Sequence, residues 1–455
     1  MNHDTFSNLD ILSINDRWVL RGDPGYNRYC LYNIDTRKLI NLTPALFIVL
    51  KLFYSNTMSF DNAIMYLNKN GIELPYTTIC DFISGFSLEG VFSKPATSSQ
   101  KHLNPLGRNM KYPVPVASTP MDIELHFTHN CNLRCKHCFQ SSEPNSNKSS
   151  LLSFDEWDKI FAQFEQANVL SVVISGGEPL IYPNAIELLR KISNYKLSLS
   201  ILTNGLLINE DNIDVFCQPN ITTTISLDGE SEATHEYLRG KNTFLRTERA
   251  IKLLLRNGAT INIAHTVHRH NFKNIENFVK YLIGLNIPNV SIGIVEPEGR
   301  AAINHDMILS KEEEKEIFNE IRTLSKRFKK SINIDFPNLS YKQNLNDFSA
   351  STSIYCAAGT KRLAISSDGT VYPCVYAFGN KYLEIGSLKS ESLQKLWENS
   401  TKWDNCRGKI MLNQIEVCSN CELSQHCSLR NCRIKYYSKE KGLFTKPYNC
   451  LKDKI

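Results

Sequence analysis

Residues 121–138, "MDIELHFTHNCNLRCKHC", decide how this chain folds. "MDIELHF" alternates apolar and polar side chains as a β-strand does. It runs directly toward "CNLRCKHC", where Cys131, Cys135 and Cys138 stand in a CxxxCxxC spacing. Three thiolates in one loop suit a [4Fe–4S] cluster whose fourth iron stays open for a small molecule. Half of a zinc site, completed by His129 or His137, is the competing reading.

Outward from this stretch, residues 121–335 alternate between strand and helix patterns. The strands are "IELHF", "LSVVIS", "LSLSILT", "ITTTISL", "TINIAHTV" and "VSIGIV". Between them "FDEWDKIFAQFEQA", "NAIELLRKISN", "FLRTERAIKLLLRN" and "NFKNIENFVKYLIGL" carry apolar stripes at helical spacing. Six βα units with right-handed crossovers predict an α/β fold, a parallel sheet curved into a partial (β/α)6 TIM barrel. Chemistry in such folds gathers at the C-terminal ends of the strands. There the second strand ends in Gly176-Gly177-Glu178-Pro179, the third in Thr203-Asn204-Gly205, and the fourth in "SLDG", Ser226 to Gly229 with Asp228. Two glycines let a ligand approach the backbone, and hydroxyls beside carboxylates suit a ribose or an amino acid.

The flanks read differently. Residues 1–95 hold short strand patterns ("RWVLRG", "RYCLYNI", "KLINL") and then three helical ones, with Thr43-Pro44 and Ser59 with Asp61 as starts and Gly71 and Gly90 as stops. Residues 96–120 are rich in Pro, Ser and Asn and read as a linker. From 336 to 455 the chain turns to short strands and dense cysteine, with a hairpin at Asp368-Gly369 and one short helix, "ESLQKLWEN". Such a region has little core of its own and needs metal staples.

Composition is that of a globular enzyme-sized protein: 455 residues, 42% hydrophobic, 22% charged, net charge +6. No basic run with interleaved aromatics points to nucleic acid. "PALFIVLKLF", interrupted by Lys51, is too short to span a membrane, and the N-terminus lacks a signal-peptide pattern. The expected location is cytoplasmic, where thiols stay reduced. Fourteen cysteines there indicate metal or redox chemistry more than disulfides, and only Cys30, Cys80 and Cys217 stand alone, as buried apolar residues would.

The CxxxCxxC loop after the first barrel strand, with GGE after the second, resembles the radical S-adenosylmethionine (SAM) superfamily over about 121–335. The resemblance implies that SAM chelates the open iron through its amino and carboxylate groups. One-electron cleavage then releases a 5′-deoxyadenosyl radical, which abstracts hydrogen from substrate. It places His137 near adenine, and Gly177 and Glu178, with Gly176 beside them, at the methionine amino group. Ser226 and Arg239 match the SAM-contacting serine and the carboxylate-binding arginine, while Thr203, Asn204 and Asp228 join them on the rim. For Arg239 a surface salt bridge is the alternative.

The C-terminal cysteines resemble the SPASM extension, which houses auxiliary [4Fe–4S] clusters. By that resemblance Cys418, Cys421, Cys427 and Cys450 hold one cluster and Cys356, Cys374 and Cys432 another. No cysteine follows just after Cys356, so that cluster keeps an open iron unless Cys406 closes it. Two zinc-ribbon sites are the alternative. The module at 1–95 resembles the PqqD-like, winged-helix-like recognition element, which adds a leader peptide as a strand at a sheet edge; a generic dimerisation or DNA-binding module is its alternative.

The whole layout resembles the subtilosin-type thioether maturases (sactisynthases and ranthipeptide synthases). That implies a precursor peptide with a leader as substrate, an electron donor such as flavodoxin or ferredoxin, and a cysteine thioether crosslink as product. Val375 stands where sulfatase maturases carry an Asp. Carbon–carbon or ether crosslinking, epimerisation, and quinone cofactor or sulfatase maturation are alternatives on the same scaffold. A zinc-stabilised peptide-binding protein is the non-enzyme alternative. No residue is singled out as catalytic.

Overall fold

In a computed structural model of the chain, the described residues are 11–23, 28–55, 57–70, 81, 83, 85–87, 89–93, 115–145, 151–336, 356–407, 419–421 and 434. The N-terminal module runs β1 (Ile11–Ile14), β2 (Trp18–Asp23), β3 (Arg28–Asn33), β4 (Leu39–Leu42), a helix Pro44–Ser55, β5 (Met58–Ser59), a helix Phe60–Lys69 and β6 (Phe92–Ser93). β2, β3 and β4 form an antiparallel sheet. A second sheet, in the order β5-β1-β6, has no clear sequence signal because β5 and β6 are two residues each. Ser59 starts the second helix by accepting from the Asn62 N–H, and Gly90 sits in a left-handed turn. Gly71 and most of "PYTTICDFISGFSLEG" lie outside the described residues.

The barrel follows as β7 (Asp122–Thr128), β8 (Ser171–Gly176), β9 (Ser198–Thr203), β10 (Ile221–Ser226), β11 (Thr260–Val267) and β12 (Asn289–Ile294), parallel and in sequence order. A seventh parallel strand, β13 (Asn333–Asp335), extends the expected six. It follows the helix Lys311–Arg327, whose ten charged residues obscure a buried stripe of Ile317, Ile321 and Leu324. The helix is fixed at its start by a Ser310–Glu313 capping box.

The C-terminal region, expected to have little core of its own, is built onto the barrel sheet. Its first strand, β14 (Arg362–Ile365), pairs in parallel with β7, and β15 (Thr370–Tyr372) and β16 (Gly386–Ser387) continue the sheet antiparallel. The result is one ten-stranded open sheet with β13 at one edge and β16 at the other. Leu363, Ile365, Val371, Leu396, Trp397 and Trp403 belong to the same hydrophobic cluster as the barrel helices. The described part of this region therefore shares the barrel's core. The sequence does not show this attachment because the partner strand, β7, is more than two hundred residues away.

One face of the barrel sheet packs under the helices through Ile123, Leu125, Phe127, Val172, Ile174, Leu199, Ile201 and Ile263. The alternate positions carry Glu124, His126, Thr128, Ser175, Ser200, Thr224, Ser226, Asn262 and Ser291, with Val173, Leu202 and Ala264 among them. Closed barrels fill their interior with branched aliphatic residues; this one is largely polar there and mostly half-buried.

The module docks at the N-terminal ends of β7, β8 and β9. Arg21, fully buried, pairs with Asp23 at 2.7 Å and donates to the carbonyls of Thr119, Pro120 and Asn168. Asp23 accepts from the Ser118 N–H at 2.9 Å. Residues 115–121 are thus held as a packed connection, with Ala117 and Thr119 fully buried. The β3–β4 turn reaches the barrel floor, where Tyr32 Oη meets Ser198 Oγ at 3.1 Å and Arg37 donates to Ser200 Oγ at 2.9 Å and to the Leu199 carbonyl at 2.8 Å. Among the described residues, no helix is long and apolar enough to cross a membrane.

Candidate active site

The site lies at the opposite end of the same strands. The β7–β8 register shifts between His126 and Thr128, bringing Thr128 beside Gly176. Gly177 N–H then donates to Thr128 O at 2.9 Å and Glu178 N–H to Asn130 O at 2.8 Å. A Cβ on Gly176 would stand 2.2 Å from Thr128 O, and one on Gly177 only 1.9 Å from Asn130 O. Within the chain itself, what approaches these glycines so closely is the backbone entering the cysteine loop. The spacing in sequence between the two motifs hides this zipper.

In that loop Cys131 and Cys135 are buried and Cys138 half-buried, all as free thiols. Leu133 N–H points to Cys131 Sγ at 3.4 Å, and Cys138 N–H turns back to Cys135 O at 3.3 Å. Burial pushes the Cys131 thiol up to about 12, and it raises Cys135 against the pull of Arg239. Such thiols ionise as a cation binds, which couples cluster assembly to proton release. Among the described residues no three ligand side chains converge into a finished cage. Three sulfurs on one short, largely buried loop are nevertheless the donor set an iron–sulfur cluster takes.

The adjacent rim residues form a connected network. Glu178, buried, accepts from Thr203 Oγ1 at 2.7 Å, Asn204 N–H at 2.8 Å and Leu180 N–H at 3.2 Å. Burial raises its pKa against these three bonds. Asn204 Nδ2 donates to Asn132 Oδ1 at 2.7 Å, tying β9 to the cysteine loop. Gly176, Gly177, Glu178, Thr203 and Asn204 are therefore brought together as a support for that loop.

A second group centres on Asp228, which is fully buried. It accepts from Arg239 Nε at 2.6 Å and from Thr266 N–H at 2.8 Å. Burial raises the carboxyl's pKa, but Arg239 and the surrounding imidazoles outweigh it and hold the group well below the usual carboxylate range. Arg239 is thus in a buried pair with 11% of its side chain exposed, not a surface one. His137 Nε2 lies 4.0 Å from Asp228, and its Nδ1 is buried without a hydrogen-bond partner. Burial holds His137 neutral, pushed down to about 4. Ser226, half-buried, ends β10 two residues before Asp228.

The auxiliary region meets this rim. Cys374 follows β15 and opens a short 3-10 turn, Val375–Ala377. Phe378 after it stacks edge-on with His126 at 4.7 Å, and His129 Nε2 lies 3.0 Å from Ser366 Oγ. Tyr376 packs against Phe139 of the cysteine loop at 5.0 Å, and Gln140 donates to the Val375 carbonyl. Sequence reading missed His126, Tyr376 and Phe378 as rim residues; only the inward alternation of His126 hinted at one of them. Cys356, Cys374 and Cys421 are half-buried thiols, and Cys406 is buried beside Gly359, three positions after Cys356. Cys418, Cys427, Cys432 and Cys450 lie outside the described residues.

The sequence matches the radical SAM superfamily over residues 125–282 and the SPASM iron–sulfur cluster-binding domain over 356–422. It is 24% identical to the antilisterial bacteriocin subtilosin biosynthesis protein AlbA of Bacillus subtilis, over 74% of this chain and 70% of that one. It is 23% identical to the PqqA peptide cyclase of Bradyrhizobium diazoefficiens, over 70% of this chain and 83% of that one. The fold is similar to Streptococcus suis SuiB bound to S-adenosylmethionine, at a TM-score of 0.71 and 19% identity, covering 96% of this chain and 99% of that one. SuiB bound to its precursor peptide SuiA superposes equally well, at a TM-score of 0.71 and 18% identity over the same shares of the two chains. With a CxxxCxxC loop zipped to a GGE strand end and a cysteine-bearing hairpin built onto the barrel's first strand, the chain is a radical SAM enzyme with a SPASM extension, and [4Fe–4S] clusters and S-adenosylmethionine are its cofactors.

Proposed function

We propose that this enzyme modifies a ribosomally made precursor peptide, joining a cysteine sulfur to a carbon of another residue as a thioether. The observation that carries the reading is the direct packing of the Cys374–Phe378 segment on the core cysteine loop, through Tyr376 against Phe139 and Gln140 on Val375. A peptide lying on this rim has both cysteine sites beside it. The relatives support a peptide substrate: one is named for subtilosin biosynthesis, another is a PqqA peptide cyclase, and SuiB has been captured with a precursor peptide.

Bound cofactors supply one-electron cleavage of SAM and hydrogen-atom abstraction. Cys131, Cys135 and Cys138 would hold the core cluster. Glu178, Thr203 and Asn204 keep its loop in place, and Arg239, anchored by Asp228, offers a guanidinium toward a carboxylate. Cys356, Cys374 and Cys432 would hold an auxiliary cluster, which, unless Cys406 adds a fourth thiolate, would supply a Lewis-acidic site for the peptide thiolate; Cys418, Cys421, Cys427 and Cys450 would hold the other. Forming C–S breaks one C–H and one S–H: the carbon's hydrogen atom would go to the 5′-deoxyadenosyl radical, the thiol proton to solvent, and the remaining electron to an iron–sulfur cluster.

The edge of β4, beside the helix Pro44–Ser55, is suited to add a leader strand. The module sits at the floor and the cysteine loop at the rim, separated by strands of six to eight residues. At about 3.3 Å per residue this is roughly 20–26 Å, so the leader and the modified residue need a spacer of about eight residues or more.

The test is mass spectrometry of a cysteine-containing peptide encoded beside the gene, co-expressed with the enzyme. Loss of two hydrogens per crosslink, with the cysteine no longer alkylated, is expected. The same loss with every cysteine still free would favour a second reading, the carbon–carbon or ether crosslink, which draws on the likeness to PqqA peptide cyclases. Formylglycine or a lost carboxyl group would exclude both.

A further inference from the structure

Residues 298–304, just after β12, grip the core cysteine loop by its backbone. Arg300 is 9% exposed. Its Nε donates to the Cys135 carbonyl and its Nη2 to the Ser142 carbonyl, each at 2.7 Å, while its own N–H donates to Cys138 O at 3.0 Å. Asn304 Nδ2 adds a bond to Lys136 O at 3.1 Å. Gly299 makes the approach possible: its φ is +54°, and a Cβ there would stand 2.3 Å from Phe139 O and 2.4 Å from Cys138 O. Four carbonyls of one loop are thus satisfied by a single short segment. The Nε–Nη2 side of this fork holds no phosphate or carboxylate, because both of its nitrogens are already on main-chain oxygens.

The charge of Arg300 is only partly neutralised. Its nearest carboxylate, Glu143, lies 3.9 Å from Nη1, has 42% of its side chain exposed, and also takes Arg134 at 2.6 Å. A guanidinium bound to the carbonyl of Cys135 stands next to whatever Cys135 ligates. Reduction of a cluster adds one negative charge, and a cation in a poorly solvated position stabilises that state.

We propose that Gly299 and Arg300 are a positioning element for the core iron–sulfur cluster, and that the Arg300 charge raises the cluster's reduction potential. Lysine retains the charge but cannot span two carbonyls with a planar fork, so charge and geometry are separable by mutation. The proposal rests on the radical SAM assignment and does not depend on the peptide reading.

The test is an EPR-monitored redox titration of full-length, anaerobically reconstituted protein without SAM. The core signal is the one whose spectrum changes when SAM is later added. Arg300→Gln should move its midpoint to a more negative potential, while Arg300→Lys stays close to wild type. Glu143→Gln should move it the other way by uncovering the Arg300 charge. An Arg300→Gln midpoint equal to wild type overturns the proposal, and so do equal displacements in Arg300→Gln and Arg300→Lys, which would mark lost geometry alone. If neither Arg300 variant retains iron, Glu143→Gln decides, and an unmoved midpoint overturns the charge effect.

Discussion

Replacing Asp228 by Asn keeps its size and its contact with the Thr266 N–H while removing the negative charge beside Arg239. Arg239 would then be stranded with only 11% of its side chain exposed. Breaking one side of a buried ion pair costs about 3–5 kcal/mol, because the remaining charge is left uncompensated. Arg239→Met strands Asp228, which is fully buried, and should cost about the same. The double variant removes both charges, so its loss should fall short of the sum by about 2–3 kcal/mol. Differential scanning fluorimetry reads this: at roughly 2 °C per kcal/mol for a domain of this size, each single variant loses about 6–10 °C. Because the folded carboxyl sits below its unfolded value, its contribution is complete at neutral pH and is lost only as pH falls below about 4. Asp228→Asn should flatten that acid limb. Losses that simply add in the double variant would refute the pairing argument.

Gly177→Ala would place a Cβ 1.9 Å from the Asn130 carbonyl oxygen, so the SAM-induced change in the EPR spectrum should disappear while far-ultraviolet circular dichroism keeps its helical signal. Tyr32→Phe removes the hydroxyl that meets Ser198 and should cost about 1 kcal/mol; Arg37→Ala should in addition speed proteolysis between module and barrel, and no acceleration would argue against the floor contact. His235 and His268 are buried and pushed down to about 4 by desolvation. The unfolded chain binds more protons between about pH 4 and 6.5, so stability should drop as pH is lowered through that window, by up to about 3 kcal/mol per histidine. Urea midpoints at pH 7 and pH 5 measure it, and His268→Asn should shallow the slope.

Much of this molecule is legible along the chain because its signals are local. β7 through β12 and four of the helices between them follow from side-chain periodicity, which depends only on near neighbours; the helices Ile213–Phe216 and Glu232–Arg239 do not. CxxxCxxC announces iron–sulfur chemistry because three ligands sit within one loop. The helix Lys311–Arg327 is not legible in this way, since its apolar stripe is diluted by charge on the exposed side.

What the tertiary structure decided is everything that depends on residues distant in sequence meeting in space. Composition cannot reveal that β14 pairs with β7, since β-pairing is set by which edge is left open once the barrel has curved. Nor can it place Arg300 on the cysteine loop, Arg21 in the joint between module and barrel, or the module at the floor rather than the rim. Arg300, Arg21 and Arg37 each donate to at least one main-chain carbonyl, a group every residue carries, so no residue type at that receiving end marks the contact. Sequence named the chemistry through its cysteines; folding determined which backbone holds them and which charge stands beside them.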